Sequence, residues 1–253
     1  MATIATDASA SSSGRPAAIV IGASSGIGAA LAIRLAASGY RLGIAARRTD
    51  LLEAVAARMQ TPALCRGIDL RDPEGARLQM RSLMDEMGGV ELVVIAAGVG
   101  HENPTLLWPP EAETIAVNVA GFAAIATLAF EWFAAGGRGH LVGISSIAAI
   151  RGHGDAPAYG ASKAFVASYL AALRQKAANR RLPICVTDIQ AGFVDTAMAK
   201  GEGLFWVAPV ELAAAQILAT IRARRPHAYV TRRWRLIAWL LRAMPEWVYN
   251  RLA

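Results

Sequence analysis

A short apolar run that leads directly into three closely spaced glycines constrains the fold of this chain more than any other feature. Residues 17–21 are all apolar and predict a buried strand, and a helical pattern follows the glycines. Gly22 permits a sharp exit from the strand, Gly26 lets the backbone approach a pyrophosphate, and Gly28 allows the helix to pack closely on the sheet. This spacing predicts a strand, a phosphate-binding loop and a helix.

The same loop carries groups that favour an anion. Ser24 and Ser25 supply hydroxyl donors, and Ile27 lies just before the last glycine. The first turn of a helix presents free N–H groups and the positive end of the helix dipole. We therefore expect phosphates to bind at this helix N-terminus.

The rest of the chain alternates short apolar runs with longer amphipathic segments. Strand-like runs lie near 17–21, 41–46, 63–68, 91–96, 139–144, 184–189 and 228–230. Helical segments lie near 26–38, 50–59, 73–87, 111–135, 157–179 and 209–224. This alternation predicts an α/β fold with a single doubly wound parallel sheet and helices on both faces. Ligands of such sheets bind beyond the carboxyl ends of the strands.

Length and composition are consistent with one large domain. The chain has 253 residues, of which 55% are hydrophobic, and this can supply a sizeable core. Residues 1–15 are rich in Ala, Ser and Thr, and we expect a disordered leader without a visible secretory signal. We expect the main domain at 16–231 and a C-terminal tail at 232–253.

Charge and cysteine usage narrow the function classes. The net charge is +7, but the arginines occur singly or in pairs on polar faces, which indicates a solvated surface and no nucleic-acid site. Cys65 and Cys185 lie in separate strand-like runs without a zinc or redox spacing, so we expect buried free thiols in a reducing cytoplasm. The histidine spacing suggests no metal ligation either.

Tyr159 and Lys163 form the strongest candidate for chemistry. They stand four residues apart on a predicted helix, which places a phenol and an ammonium on one face. Tyrosine titrates near ~10 in water, and an adjacent cation favours its phenolate, so the pair is suited to proton transfer near neutral pH. Ser146 ends an apolar run upstream and supplies a hydroxyl for a substrate oxygen.

Together these motifs resemble the short-chain dehydrogenase/reductase family of the single-domain soluble type. The resemblance covers residues 16–230. Besides the glycine loop and Tyr159-x-x-x-Lys163, it rests on Ala97-Gly98, Asn118, Ser146 and Ala191-Gly192-x-Val194-x-Thr196. It implies a Rossmann fold, an NAD(P)-dependent reaction at a carbonyl or alcohol, no metal, and a homodimer or homotetramer.

The resemblance implies a catalytic role for four residues. Tyr159 matches the general acid/base, Lys163 the cation that lowers its pKa and holds the nicotinamide ribose, and Ser146 the group that polarises the carbonyl. Asn118 matches the residue that kinks its helix and holds a water in the proton relay. In the reductive direction, hydride leaves the nicotinamide while Tyr159 protonates the carbonyl oxygen.

The end of the second strand indicates the choice of cofactor. NAD enzymes carry an acidic side chain about twenty residues beyond the glycines, where this chain has Arg47 and Arg48. Guanidinium groups suit the 2′-phosphate of NADP, so we expect NADPH, although a solvated loop before a helix capped by Asp50 is the alternative. With Asp69 as an adenine contact, the expected cofactor-binding residues are Gly22, Ser24, Ser25, Gly26, Ile27, Gly28, Arg47, Arg48, Asp69, Leu70, Ala97, Gly98, Asn118, Tyr159, Lys163, Gly192, Val194 and Thr196.

The segment after Thr196 lies where the family carries a flexible lid. Its apolar side chains indicate either a bulky hydrophobic substrate or packing against the body. They are Met198, Leu204, Phe205, Trp206 and Val207, and further pocket candidates are Phe193, Trp108, His101 and His153. We expect a carbonyl reductase for a hydrophobic ketone, such as a long-chain 3-oxoacyl or lipid-linked substrate. An alcohol dehydrogenase running oxidatively and a non-catalytic dinucleotide sensor are the alternatives.

The tail predicts an amphipathic helix and then a second short helix after Pro245. Its apolar face comprises Trp234, Ile237, Ala238 and Leu241. The apolar run is too short to span a bilayer. Three partners for this face remain open: a membrane surface in peripheral contact, a second subunit, or the protein's own lid.

Overall fold

A computed structural model describes residues 14–198 and 205–251 of the chain. Most of the predicted leader, Leu204 of the predicted lid and the last two residues of the tail lie outside these residues. All structural statements below concern the described part.

Seven parallel strands of the described chain form one sheet in the order β3-β2-β1-β4-β5-β6-β7. They are β1 (Ala17–Ile21), β2 (Arg41–Ala46), β3 (Ala63–Gly67), β4 (Leu92–Ile95), β5 (Gly139–Ser146), β6 (Ile184–Ala191) and β7 (His227–Val230). The strand order reverses between β1 and β4, which opens a crevice at their carboxyl ends. The predicted doubly wound fold is confirmed.

Helices cover both faces of the sheet. They are α1 (Gly26–Ala37), α2 (Thr49–Ala56), α3 (Pro73–Glu86), α4 (Trp108–Ile115), α5 (Phe122–Ala135), α6 (Pro157–Asn179), α7 (Val210–Arg222), α8 (Trp234–Ala243) and α9 (Glu246–Tyr249). A π-helical turn at Ala116–Gly121 joins α4 to α5, and a 3₁₀ turn at Ile147–Ala149 follows β5.

Two apolar cores separate the helices from the sheet. Successive strand residues point to opposite faces, so Ile19 packs with α3, α5 and α6, whereas Val20 packs with α1, α2 and α7. Because both faces are covered, β1 is buried at every position. The carboxyl ends of the strands are left as the place where polar groups can meet a ligand.

Within the described residues, one helical segment, 108–135, is apolar and long enough to cross a membrane by length and composition. Its α5 portion buries Phe122, Ile125 and Phe133 in the core between α3, α6 and the sheet. Membrane-spanning helices and core helices share the same apolar composition. The contacts of α5 inside the protein are those of a core helix.

Two local predictions are wrong. Asp50 does not cap α2, because the helix begins at Thr49 with Arg48 at the N-cap position, and Asp50 falls in the first turn. Cys65 is exposed and Cys185 only partly buried. The reason for Cys65 is that β3 is the edge strand of the sheet, so its side chains need not enter a core.

Candidate active site

The glycine loop joins β1 to α1 at the carboxyl end of the sheet, and its backbone leaves little space for side chains. Gly22 and Gly26 have φ angles of 87° and 55°, which residues with a side chain rarely adopt. A Cβ atom on Gly28 would lie 2.2 Å from the carbonyl oxygen of Gly22. Ser25 precedes α1 without capping it through its side chain, so the first turn keeps N–H groups for an anion.

Arg48 reaches this loop from the end of β2. Its Nη2 donates to Ser24 Oγ at 3.2 Å and to Ser25 Oγ at 3.1 Å. Arg47 takes another direction and lies 3.6 Å from a carboxylate oxygen of Glu113 on α4. The structure therefore brings one of the two predicted arginines to the glycine loop, where a cation and two hydroxyls flank an open helix N-terminus.

Asp69 and Leu70 follow β3. Arg71 Nε donates to both carboxylate oxygens of Asp69, at 3.1 and 3.0 Å, and these hydrogen bonds lower the pKa of the carboxyl group. Leu70 is buried, and a Cβ atom on Gly121 would lie 2.3 Å from its carbonyl oxygen. Leu70 thus packs on the π-helical turn, and the adenine contact of either residue stays a prediction.

The π-helical turn places Asn118 towards the loop that follows β4. Asn118 Oδ1 accepts the N–H of Val99 at 2.9 Å, and its Nδ2 donates to the carbonyl oxygen of Val99 at 2.7 Å and to Ser162 Oγ at 2.9 Å. Asn118 therefore clamps this loop to α6. Asn118 lies in a π-helical turn, a feature that is frequent at functional sites, and the predicted kink and water stay predictions.

The clamped loop contains Ala97 and Gly98. A Cβ atom on Gly98 would lie 3.2 Å from both Asn118 Oδ1 and Lys163 Nζ. On its other side, the loop packs so closely that a Cβ atom on Gly22 would lie 2.4 Å from the backbone nitrogen of Ala97. The loop therefore lies between the glycine loop and the predicted catalytic groups.

Lys163 is buried in the second turn of α6. Its Nζ donates to the carbonyl oxygen of Ile144 at 3.0 Å and lies 5.7 Å from the centroid of the Tyr159 ring. Burial lowers the pKa of this lysine to about 8, and the negative charge of Asp188 opposes the change. A lysine that titrates so close to neutral pH is suited to proton exchange.

Tyr159 has its phenol near Ser146. Desolvation raises the pKa of the phenol, and the proximity of Ser146 offsets only part of this rise. The net shift is upward, so a lowering of this pKa by Lys163 stays a prediction. Ser146 Oγ accepts the N–H of Ala148 at 3.1 Å, so the serine caps the 3₁₀ turn.

The segment after β6 closes over the glycine loop. The N–H of Gly192 donates to the carbonyl oxygen of Val230 at 2.6 Å, and Val194 pairs with Ala208 in a parallel bridge. The Cγ2 atom of Thr196 lies 3.1 Å from the position that a Cβ on Gly26 would take. Thr196 therefore lies beside the glycine loop, and the cofactor contacts of Gly192 and Val194 stay predictions.

Trp234 of the tail covers this segment, a contact that sequence reasoning left open. Its ring centroid lies 5.2 Å from that of Phe193, 5.1 Å from Phe205 and 6.1 Å from Trp206. A Cβ atom on Gly192 would lie 2.1 Å from the indole nitrogen. The helical pattern identified Trp234 as part of an apolar face, but only the fold shows that the lid packs on it.

Glu111 is a residue that the sequence did not reveal. One carboxylate oxygen accepts the Nδ2 of Asn103 at 2.7 Å, and the other accepts the N–H of Ala158 at 3.0 Å. The carboxylate therefore satisfies a free N–H in the first turn of α6, next to Tyr159. No periodicity links two residues that lie 47 positions apart.

The two histidines near the site have hydrogen-bonded roles. His101 Nε2 lies 3.1 Å from Glu113 Oε2, and His153 Nδ1 accepts the N–H of Asp155 at 3.3 Å. Trp108, also a predicted pocket residue, is 69% exposed. In the part of the chain that the structure describes, no three His, Cys, Asp or Glu side chains come together as a metal site would require.

Known proteins resemble this chain over most of its length. A model of the short chain dehydrogenase family matches residues 16–204. An uncharacterized oxidoreductase of Myxococcus xanthus is 37% identical over 182 residues, which is 70% of this chain and 71% of that protein. Another from Mycobacterium tuberculosis is 35% identical over 189 residues, covering 71% and 74%. The bovine 3-oxoacyl-[acyl-carrier-protein] reductase is 27% identical over 183 residues, covering 72% and 76%.

Solved structures share the fold. A short chain dehydrogenase of Burkholderia cenocepacia in complex with NADP is 26% identical, has a TM-score of 0.74 and covers 85% of this chain and 94% of its own. One from Sphingobium yanoikuyae in complex with NADPH is 22% identical, with a TM-score of 0.77 and coverage of 91% and 97%. A Brucella melitensis 3-ketoacyl-(acyl-carrier-protein) reductase complexed with NADH is 22% identical, with a TM-score of 0.74 and coverage of 85% and 94%.

Proposed function

The chain belongs to the short-chain dehydrogenase/reductase family and is an NAD(P)-dependent oxidoreductase, and we propose that within this family it is an NADPH-dependent carbonyl reductase of hydrophobic ketones. One observation carries the proposal: Tyr159, Ser146 and Lys163 converge at the carboxyl end of the sheet, beside a loop built for a pyrophosphate. A sensor that only binds the dinucleotide has no need of this set.

The described residues fit a dinucleotide. A Cβ atom on Gly28 would collide with the carbonyl oxygen of Gly22, so the glycines keep the loop tightly folded, and the narrow space beside Gly98 keeps the backbone close to Lys163. The bound cofactor supplies the hydride of the reaction. Two features support the choice of NADPH. The Arg48 guanidinium at the glycine loop suits a 2′-phosphate. Ala46 ends β2 at the position where an acidic side chain would repel that phosphate. Related structures hold NADP, NADPH or NADH, so the preference rests on these two features.

The proton transfer uses this chain's own groups. Tyr159 donates its phenolic proton to the carbonyl oxygen, and Ser146 donates a hydrogen bond to the same oxygen. The raised pKa of Tyr159 keeps the phenol protonated at neutral pH, as a proton donor requires. Lys163 lies close enough to stabilise the phenolate that the transfer leaves behind.

The surroundings of the site support an apolar substrate. Phe205, Trp206 and Val207 of the lid are all partly exposed, at 48%, 40% and 39%. The similarity to the bovine 3-oxoacyl reductase suggests a long-chain 3-oxoacyl or lipid-linked ketone. The proposal includes a cytoplasmic location, a homodimer or homotetramer, and peripheral contact of the tail with a membrane.

The test is an NADPH-consumption screen over ketones and 3-oxoacyl thioesters graded by chain length, with and without detergent. We expect turnover to rise with chain length. NADPH binding without turnover on any carbonyl would favour the sensor. Activity confined to alcohol oxidation with NADP would favour the dehydrogenase alternative.

A further inference from the structure

Helix α8 has two apolar faces, and the protein covers one of them. Trp234 and Ala238 on the inner face are buried, at 2% and 1% exposed. Leu236, Trp239 and Leu240 lie about half a turn away around the helix, and they are 64%, 72% and 47% exposed. We call these three residues the outer row. A helix that is apolar on opposite faces is normally covered on both.

Hydrogen bonds between the tail and two loops of the domain fix the outer row relative to the active-site mouth. Arg233 Nη2 donates to the carbonyl oxygen of Trp206 in the lid at 2.7 Å. Arg151, in the loop after Ser146, donates from Nε to the carbonyl oxygen of Leu241 at 3.0 Å. Tyr249 of α9 donates to the carbonyl oxygen of Gly152 in the same loop at 2.7 Å. The tail therefore spans both loops that border the site.

Exposed arginines flank the outer row. The tail carries Arg232, Arg233, Arg235, Arg242 and Arg251 against a single acidic residue, Glu246. Among the described residues, none of these five arginines forms an ion pair. Two lie over tryptophan rings, with Arg233 at 5.2 Å from the Trp206 centroid and Arg251 at 5.7 Å from that of Trp247.

These charges discriminate between the possible occupants of the outer row. A second copy of the chain packed symmetrically through this face would bring the flanking arginines of one copy against those of the other, which is unfavourable. An anionic lipid surface complements both parts of the face, because it attracts the arginines and accepts the apolar row and tryptophans at the headgroup level.

We propose that the outer row and its flanking arginines dock the protein on an anionic lipid surface. Docking turns the active-site mouth towards the membrane, so an apolar ketone passes from lipid to the site without crossing bulk water. The role of the substrate in this inference rests on the proposed carbonyl reduction. The docking itself does not.

The experiment is co-sedimentation of the full chain with vesicles of equimolar phosphatidylcholine and phosphatidylglycerol at low salt. The test variant is Leu236→Gln/Trp239→Gln/Leu240→Gln. The matched control is Leu78→Gln, because Leu78 on α3 is similarly exposed, at 71%. We expect vesicle affinity of the triple variant to fall by at least about tenfold, since apolar area is lost. The control should bind like the wild type.

Further arms identify the ligand. Binding should weaken with added salt and with vesicles of phosphatidylcholine alone, because the arginines then lose their attraction. NADPH oxidation with a small water-soluble ketone should be equal in all three proteins, which shows that the triple variant is folded.

Three outcomes would overturn the docking surface. The first is an intact protein that does not bind anionic vesicles at low salt. The second is a triple variant that binds vesicles as tightly as the wild type. The third is a triple variant whose oligomeric mass in light scattering falls while its vesicle binding is kept. The last outcome would assign the outer row to a subunit contact. Vesicle binding without reduction of any ketone would instead overturn the proposed function and leave the docking surface intact.

Discussion

Two cations in this protein lie beside aromatic rings in opposite surroundings. We call Tyr159, Ser146, Lys163 and Asn118 the corner. There, Lys163 is buried, and its Nζ lies 5.7 Å from the centroid of the Tyr159 ring. On the tail, the exposed Arg233 lies 5.2 Å from the centroid of Trp206. Burial dominates at the corner, where it lowers the pKa of Lys163 to about 8 and raises that of Tyr159. Water screens the charge of Arg233 on the tail, so this pair orients the lid against α8 and adds little electrostatic energy.

The comparison shows how one type of pair serves two purposes. The corner depends on a few atoms held at fixed positions, since Asn118 and Ile144 anchor the loop and the ammonium by hydrogen bonds. The tail depends on apolar area, because Trp234 is packed inside the protein and Trp239 presents its ring at the surface. A single atom should therefore matter at the corner, and the location of a whole ring should matter on the tail.

Removing one oxygen at the corner should have the largest effect. In Tyr159→Phe, the proton donor is lost while the ring remains, so turnover should fall by roughly 10²- to 10⁴-fold. Cofactor binding, measured by NADPH fluorescence titration, should change little. Tyr169→Phe is the matched control on the same helix, where the ring stacks on Phe165 at 5.3 Å. Near wild-type turnover of Tyr159→Phe would refute the mechanism.

Truncating a ring on the tail should separate its two faces. Trp234→Ala removes a buried indole from the cluster with Phe193 and Phe205, and its free energy of unfolding should fall by about 3–5 kcal/mol. Trp239→Ala, at an exposed position, should change it by less than about 0.5 kcal/mol. Urea unfolding followed by circular dichroism measures both. Equal small losses would mean that the inner face does not stabilise the domain.

The sequence predicted the fold and the proximity of Tyr159 and Lys163 because both are encoded locally. Strand alternation and the four-residue spacing of Tyr159 and Lys163 need no knowledge of distant partners. The sequence could not show that Arg47 and Arg48 point in different directions, because the direction of Arg47 depends on the position of Glu113 in the fold. The covering of Trp234 by the lid likewise depends on long-range packing, which a helical pattern does not specify.

The burial of Lys163 should appear as a pH dependence of stability. Its pKa is lowered to about 8 in the folded protein from 10.5, so the cost of burying the charge is complete below pH 8 and is relieved as pH rises from 8 towards 10.5. Relative to Lys163→Met, the free energy of unfolding of the wild type should rise by about 2–3 kcal/mol over this window. Urea titrations between pH 7 and about 10 measure the difference, and parallel curves would contradict it.

The smallest effect should come from the exposed Arg48 at the glycine loop, which, like the arginines of the tail, is a cation in contact with water. Arg48→Ala removes the guanidinium that contacts Ser24 and Ser25, so NADPH affinity should fall by about 1.5–3 kcal/mol while NADH affinity barely changes. Arg47→Ala is the matched control, because Arg47 lies towards Glu113. Isothermal titration with both cofactors measures the ratio. Equal losses of NADPH and NADH affinity in Arg48→Ala would return this arginine to a solvated loop, and a larger loss in Arg47→Ala would transfer the 2′-phosphate contact to its neighbour.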